Sequence, residues 1–419
     1  MDILFMPDFK EFNLKKVIFF VKRFPVLSQT FVIDQINGLI DQGVDVKILA
    51  FYEEKQDIAL KSLEKHNLLK RTEFISPANT RKVKRPFKLL FLQLFDLFVQ
   101  YKYTSLKPVA DFARYAKSNG KVVLAYEVAM TMWVNRNKTF EADSIIAHFG
   151  NNGVVAQKLI SSGMLKGSLN TIFHGYEISE YENVSFWKTK YVELSRSSRL
   201  LPISYFWKNR LESWGANSDA IRVLRMGVDI NTFDFKNKAM SENVRIVSVA
   251  RATEKKGLKY AIKAMAHLDD RFHLTLVGGG ELESNLKSLA VELGVNEKIT
   301  FYGPQPPDFV KKILDASDIF LLPSITDSVG DMEGVPVALM EAMASGLTVI
   351  STIHSGIPEL ITDGQSGFLV PEKDAISIAN AVKRAALSDE IHTIKDNARK
   401  KVVSDFNSTK LSKELYTLL

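Results

Sequence analysis

The sequence predicts an α/β protein built as two parallel sheets, each with helices on both faces. Three observations carry this. Short β-branched runs alternate with longer helical patterns. The alternation starts afresh after Asp229. A chain of 419 residues is too long for one ordinary core and suits two domains.

In the first half the expected strands are Lys16–Val21, Val44–Phe51, Ser144–Phe149, Asn170–Phe173 and Arg199–Ile203, with a first helix near Gln29–Gln42. In the second they are Val244–Ala250, His273–Val277, Lys298–Phe301, Ile319–Leu322 and Thr348–Ser351. Helices near Leu258–Leu268, Leu282–Leu293, Phe309–Ala316 and Pro336–Ala344 separate them, and a last helical pattern covers Thr409–Leu419. The expected domains are therefore 1–228, with 1–13 as an extension, and 244–405, joined by a polar linker at 229–243 and followed by a terminal segment, 406–419.

Hydrophobic residues make up 46% and charged residues 25%, an ordinary soluble balance. With no cysteine, disulfides, thiolate metal sites and cysteine nucleophiles are excluded. The net charge of +7 fits an anionic partner or an unspecialised basic surface. Nucleic acid is not expected, because no basic stripe interleaved with aromatics is present. Met1 to Asn13 lacks a basic region followed by an apolar run, and no stretch reaches membrane-spanning length, so a cytoplasmic protein is expected.

One segment breaks the alternation. Residues 81–103 open with Arg81, Lys82, Lys84, Arg85 and Lys88, then place Phe87, Leu90, Phe91, Leu94, Phe95 and Phe98 at helical spacing. This suits either an amphipathic helix on an anionic membrane or a helix packed on the first sheet.

Ligands of open α/β sheets bind beyond the carboxyl ends of the strands. The loops after Val21, Phe149, Phe173, Ala250, Val277 and Leu322 are the candidates, and every motif falls on one of them. The richest runs from Phe320 to Val370. Glu333-Gly334-Val335-Pro336 leads into a helix whose first N–H groups, at Val337 and Ala338, make a phosphate site helped by the helix dipole. Glu333 can reach sugar hydroxyls, and Glu341, about one and a half turns inside at ~1.5 Å per residue, can accept from a ribose diol. Arg251 and Lys256, on the loop after Val244–Ala250, can clamp a diphosphate in place of a metal ion. Gly279 lies in the triple glycine 278–280, which serves either a tight turn or a close ligand approach.

In the first half His174 can face the reacting sugar, with Glu177 beside it. His148, Gly150 and Asn152 belong to a second strand-end motif, HFGNNG. Ser28 and Thr30, between the first strand and helix, can cap that helix or meet an acceptor. A nicotinamide enzyme is not expected, since no G-x-G-x-x-G follows Lys16–Val21, and no D-x-D at a strand end suggests a divalent metal.

The strings FPVLSQTF, HFGNNGVVA, FHGYEIS, RVLRMGVDINTF, ARATEKKGL, LVGGGE, EGVPVALMEAMASGLTVIST and GIPELITDGQSGFLV resemble glycosyltransferase family 4 over nearly the whole chain. The first two are similar to those of a bacterial exopolysaccharide subgroup. The resemblance implies a GT-B fold, two Rossmann-like domains facing across a cleft, with the last helix returning to the first domain. It implies retaining, metal-independent hexosyl transfer from a nucleotide sugar, with no cofactor. Arg251 and Lys256 would bind the diphosphate, Glu333 the donor sugar, Glu341 the ribose, and His174 would stand near the anomeric carbon. The expected donor is a UDP-sugar, with a GDP-sugar second, and the expected acceptor a growing oligosaccharide on a polyprenyl diphosphate at the inner face of the membrane. Glu177 stands where Asp is commoner, Gly279 where Asp is common, and Ser28–Thr30 replace a glycine-rich loop. A sugar-nucleotide epimerase of the same fold, or an inactive sugar-nucleotide-binding subunit, are the alternatives.

Overall fold

The computed structural model describes residues 14–26, 29–54, 61–76, 131, 135 and 137–419. Ser28 and segment 81–103 lie outside the described residues. Among the described residues there are two six-stranded sheets. The first comprises β1 (Lys16–Phe24), β2 (Asp45–Glu53), β3 (Thr72–Phe74), β4 (Phe140–His148), β5 (Leu165–Phe173) and β6 (Arg199–Pro202). The second comprises β7 (Val244–Val249), β8 (Phe272–Val277), β9 (Ile299–Gly303), β10 (Ile319–Leu322), β11 (Thr348–Thr352) and β12 (Phe368–Val370). The longer helices are α1 (Thr30–Ile40), α2 (Gly150–Ser161), α3 (Tyr181–Leu194), α4 (Tyr205–Ser213), α5 (Leu258–Met265), α6 (Glu283–Glu292), α7 (Pro307–Ala316), α8 (Val337–Ser345), α9 (Ala375–Leu387), α10 (Ile391–Asp405) and α11 (Ser408–Leu418).

The strand orders are β3-β2-β1-β4-β5-β6 and β12-β11-β10-β7-β8-β9. Both have the same doubly wound sequence, reversing at β1/β4 and at β7/β10. The sheets lie on either side of 229–243. Contacts among the described residues divide the chain differently, through β5: those up to 147, with 155–169 and Leu419, form one compact unit, and 148–154 with 170–418 the other. In the second unit Leu418 accepts from Arg199 of β6. In the first, the Leu419 carbonyl accepts from Ser144 Oγ of β4 at 3.1 Å. The last helix thus ends at the first sheet.

The second sheet shows why these runs became buried strands. Ile246, Leu274, Ile319 and Leu321 face Ala261, Ile262 and Met265 of α5 and Ile378 and Val382 of α9. Val247, Phe320, Leu322 and Val349 face Leu339, Met340 and Met343 of α8 and Val402 of α10. Alternate residues of β10 therefore serve opposite cores, which is why the run is apolar throughout.

Two local expectations change, and two strands join the ten expected. Thr30 is the first helical residue of α1, and the preceding Gln29 makes no side-chain cap, so the expected cap at Thr30 is absent. Gly150 and Asn152 lie in the first turn of α2 rather than in a loop. Strands β3 and β12, of three residues each, were too short to show a period.

Phe320 is fully buried on the central strand β10. Phe320→Ala is expected to cost about 3–5 kcal/mol, read as a lower urea midpoint of the chain.

Candidate functional site

Strands β7 and β10 are neighbours, paired at Ile246↔Ile319 and Val247↔Phe320. Their outgoing loops therefore emerge side by side at the switch point. The loop after β7 ends in a turn at Glu254–Lys256 and a left-handed Gly257 with φ 64°. A Cβ on Gly257 would lie 1.9 Å from the Pro323 carbonyl oxygen. Only glycine lets the two loops touch backbone to backbone, and Ile325 N–H donates to the Lys255 carbonyl at 2.8 Å. Gly278 and Gly280 serve the third loop in the same way, since their Cβ atoms would meet the Ala250 and Ala252 carbonyls at 2.1 and 2.6 Å. Gly279 accepts from Ala252 N–H at 2.9 Å. Gly278 and Gly280 are thus required by loop-on-loop packing.

Helix α8 begins after Pro336, which is its N-cap with φ −63°, and stops at left-handed Gly346. Leu339, Met340 and Ala342–Ser345 are buried. Val337, Ala338 and Glu341 share the half-buried face. No acidic residue occupies the first turn, so nothing there offsets the positive end of the helix dipole.

Two successive lysines meet two carboxylates. Lys256 Nζ lies 2.9 Å from Glu333 Oε1, and Lys255 Nζ 2.9 Å from Asp331 Oδ2. Burial pushes the Glu333 carboxyl up, but Lys256 and Lys255 outweigh it and hold the group below the usual carboxylate range. Burial likewise pushes Lys255 down, and Glu333 and Asp331 reverse this, leaving it raised. Asp331, with less compensation, stays raised by burial. Arg251 is exposed and lines a cavity of about 310 Å³ with Thr253, Glu254, Lys255, Asp327 and Asp331.

The His174 turn packs on the same loop. A Cβ on Gly334 would lie 2.4 Å from the His174 carbonyl oxygen, and one on Gly175 would lie 3.3 Å from Gly334 N. Ser179 Oγ accepts from Met332 N–H at 3.1 Å, and Val329 accepts from Tyr181 N–H at 2.9 Å. The structure therefore brings together His174, Lys256, Glu333 and Gly334. His148 Nδ1 lies 3.1 Å from His174 Nε2, with the rings stacked at 5.2 Å. Burial pushes His148 down to about 3. Burial, then His148, holds His174 well below the ordinary imidazole value. At neutral pH the pair offers hydrogen bonds and no positive charge.

Glu177 has a different place from the expected acceptor side. It is fully buried, and its carboxylate accepts from the N–H groups of His174 at 2.7 Å and Gly175 at 3.1 Å. Burial pushes it up to about 7 against those bonds. It shapes the His174 turn. Asn152 Nδ2 donates to the His148 carbonyl at 2.8 Å, and a Cβ on Gly150 would strike Phe173 at 2.2 Å, so both position the histidine pair.

Sequence reasoning preferred Lys256 to Lys255, placed Asp331 only within a pocket loop, and missed His354, Ser355 and Glu372. His354 follows β11 and would have been found by the strand-end rule that found His174.

Among the comparisons, the family pattern described as glycosyl transferases group 1 matches residues 229–401. The chain is 39% identical to the putative colanic acid biosynthesis glycosyltransferase WcaL of Salmonella typhimurium, over 96% of this chain and 99% of that protein. It is 36% identical to the amylovoran biosynthesis glycosyltransferase AmsK of Erwinia amylovora, over 96% and 99%. The solved structure of Anabaena HepE in complex with UDP and glucose superposes with a TM-score of 0.69 at 18% identity, covering 96% of this chain and 99% of that one.

The buried histidines make stability acid-sensitive. The folded His148 value lies below the unfolded 6.5, so its contribution is present above pH 6.5 and is lost as pH falls toward 3. Between pH 7 and 5 the wild type is expected to lose about 2 kcal/mol more than His148→Gln, measured by urea midpoints at both pH values.

Proposed function

We propose that this chain, which belongs to the group 1 glycosyltransferases and has their GT-B fold, moves a hexosyl group from a nucleotide sugar to a growing surface oligosaccharide. The observation that carries this is the meeting, at the switch point of the second sheet, of adjacent lysines, an exposed arginine, a buried carboxylate and the open end of α8. That set matches a diphosphate joined to a neutral polyol.

In this reading the diphosphate lies against Val337 and Ala338 at the first turn of α8, with Arg251 and Lys256 opposite. Glu341, on the same face of α8, takes the ribose diol. Glu333 accepts from hydroxyls of the donor sugar. Gly279 lies along the nucleotide on the adjoining loop. The acceptor hydroxyl attacks the anomeric carbon on the face the diphosphate leaves, which retains configuration. The bond from that carbon to the phosphate oxygen breaks as the bond to the acceptor oxygen forms. The acceptor proton passes to the departing phosphate. Arg251 and Lys256 stabilise the charge that develops there, and no metal or cofactor is required. His174, uncharged, hydrogen-bonds near the reacting carbon.

A UDP-sugar is the preferred donor, supported by the UDP and glucose named in the HepE complex. The names of the relatives, which concern colanic acid and amylovoran, support an exopolysaccharide acceptor. We assign that acceptor to a polyprenyl diphosphate carrier at the inner face of the membrane, met through the basic amphipathic segment 81–103. Among the described residues no helix is long and apolar enough to cross a membrane.

A thermal-shift panel of UDP, GDP, ADP and their sugars tests the donor. At a hundredfold excess over Kd a specific ligand stabilises by about 2.7 kcal/mol. UDP and a UDP-hexose are expected to raise the Tm, and a response to NAD alone overturns the reading. Arg251→Ala and Lys256→Ala are each expected to lower turnover by about 10²–10³. Nucleotide binding without transfer, together with unchanged cellular polysaccharide in Glu333→Ala, would instead indicate an inactive binding subunit.

A further inference from the structure

We propose that His354 is a positioning residue that fixes the peptide of Glu333, and through it the aim of the Glu333 carboxylate. The loop 323–336 contains neither helix nor strand. Its N–H groups must therefore find side-chain or loop acceptors. Val329 and Asp331 N–H donate to Asp327 Oδ1 at 3.0 and 2.8 Å. Glu333 N–H donates to His354 Nε2 at 3.0 Å. On the other side of the same residue, Ser355 Oγ donates to the Glu333 carbonyl at 2.6 Å. Both backbone polar groups of Glu333 are thus gripped by two consecutive side chains that follow β11.

The grip has a support of its own. His354 is 1% exposed. Its Nδ1 lies 2.6 Å from Glu372 Oε1. An Nε2 that accepts carries no proton, so the ring proton sits on Nδ1 and points at Glu372. Glu372 therefore sets the tautomer, while its other oxygen accepts from Thr326 N–H at 2.9 Å and ties down the start of the same loop. Ser355 has φ 50°, an uncommon conformation for a serine. The strain is consistent with a turn shaped to present both side chains to one peptide.

Without this support the Glu333 peptide can rotate, and the carboxylate swings away from Lys256. A misplacement of ~1 Å at a reacting group costs on the order of 10²-fold in rate. That consequence for transfer rests on the reading of Glu333 as the donor-sugar contact. The placement of the peptide does not.

The test uses the full chain with His354→Gln and His354→Leu. Glutamine offers a carbonyl to Glu333 N–H and an amide to Glu372, whereas leucine offers neither. Hydrogen–deuterium exchange of a peptide covering 326–336 is the first readout. His354→Leu is expected to exchange at least ~10-fold faster there than wild type, with His354→Gln close to wild type. The second readout is calorimetric binding of UDP and of UDP-glucose and UDP-galactose. His354→Leu is expected to keep UDP affinity within about threefold but to lose the added affinity of the hexose. Unchanged exchange in His354→Leu, or equally fast exchange in His354→Gln, overturns the proposal. If His354→Leu does not fold, Glu372→Leu carries the same expectation and the same refutation. If wild type fails to distinguish UDP-hexoses from UDP, the sugar role of Glu333 falls, while the exchange data still decide His354.

Discussion

Everything at the site depends on the approach of two loops where β7 and β10 pair. The Gly257 Cα faces the Pro323 carbonyl with no room for a methyl group. That contact decides how far Lys255 and Lys256 stand from Asp331 and Glu333. A side chain at position 257 would push the loops apart and turn two short ion pairs into separated buried charges. Such charges are costly, because desolvation is then uncompensated. The glycine is therefore an electrostatic requirement as much as a conformational one.

The lysine–carboxylate pairs also explain how so polar a cluster survives in a largely buried place. Glu333 is 7% exposed. Its burial favours the neutral acid, yet the adjacent ammonium groups keep it ionised. Lys255 is held charged in the same way by Glu333 and Asp331. Neither set is stable without the other unless something else brings charge. A diphosphate can take over the lysines, and sugar hydroxyls can take over the carboxylate. The protein's internal pairing then resembles the pairing a charged, hydroxylated ligand would offer. This is a physical reason for an acid and a base to sit together where a ligand binds.

Much of this was legible in the chain. The ten expected strands are all present within a few residues, because short β-branched apolar runs bounded by polar loops favour buried strands. Arg251, Lys256, Glu333 and Glu341 could be placed because each follows or opens an element with a strong period. What was hidden depended on partners distant in sequence. Glu177 read as a site residue because it neighbours His174; only the fold shows its carboxylate turned inward to backbone N–H groups. Gly150 read as a loop glycine, although its lack of a side chain is what lets α2 start against Phe173. His354 and Glu372 are 18 residues apart and join only when β11 and β12 pair.

The two histidine arrangements show that buried histidines can be oriented by different partners. His148 and His174 lie against one another; burial disfavours charge on both rings, and His148 disfavours it further on His174. That pair holds an uncharged, oriented ring beside the Glu333 loop. His354 instead faces a carboxylate on one nitrogen and an amide on the other, so its proton has a fixed address. In both cases the ring is confined to a defined hydrogen-bonding role. Positive charge near the loop comes from Arg210, Arg251, Lys255, Lys256 and the end of α8. Positive charge gathered there would favour a group that gains negative charge as it departs.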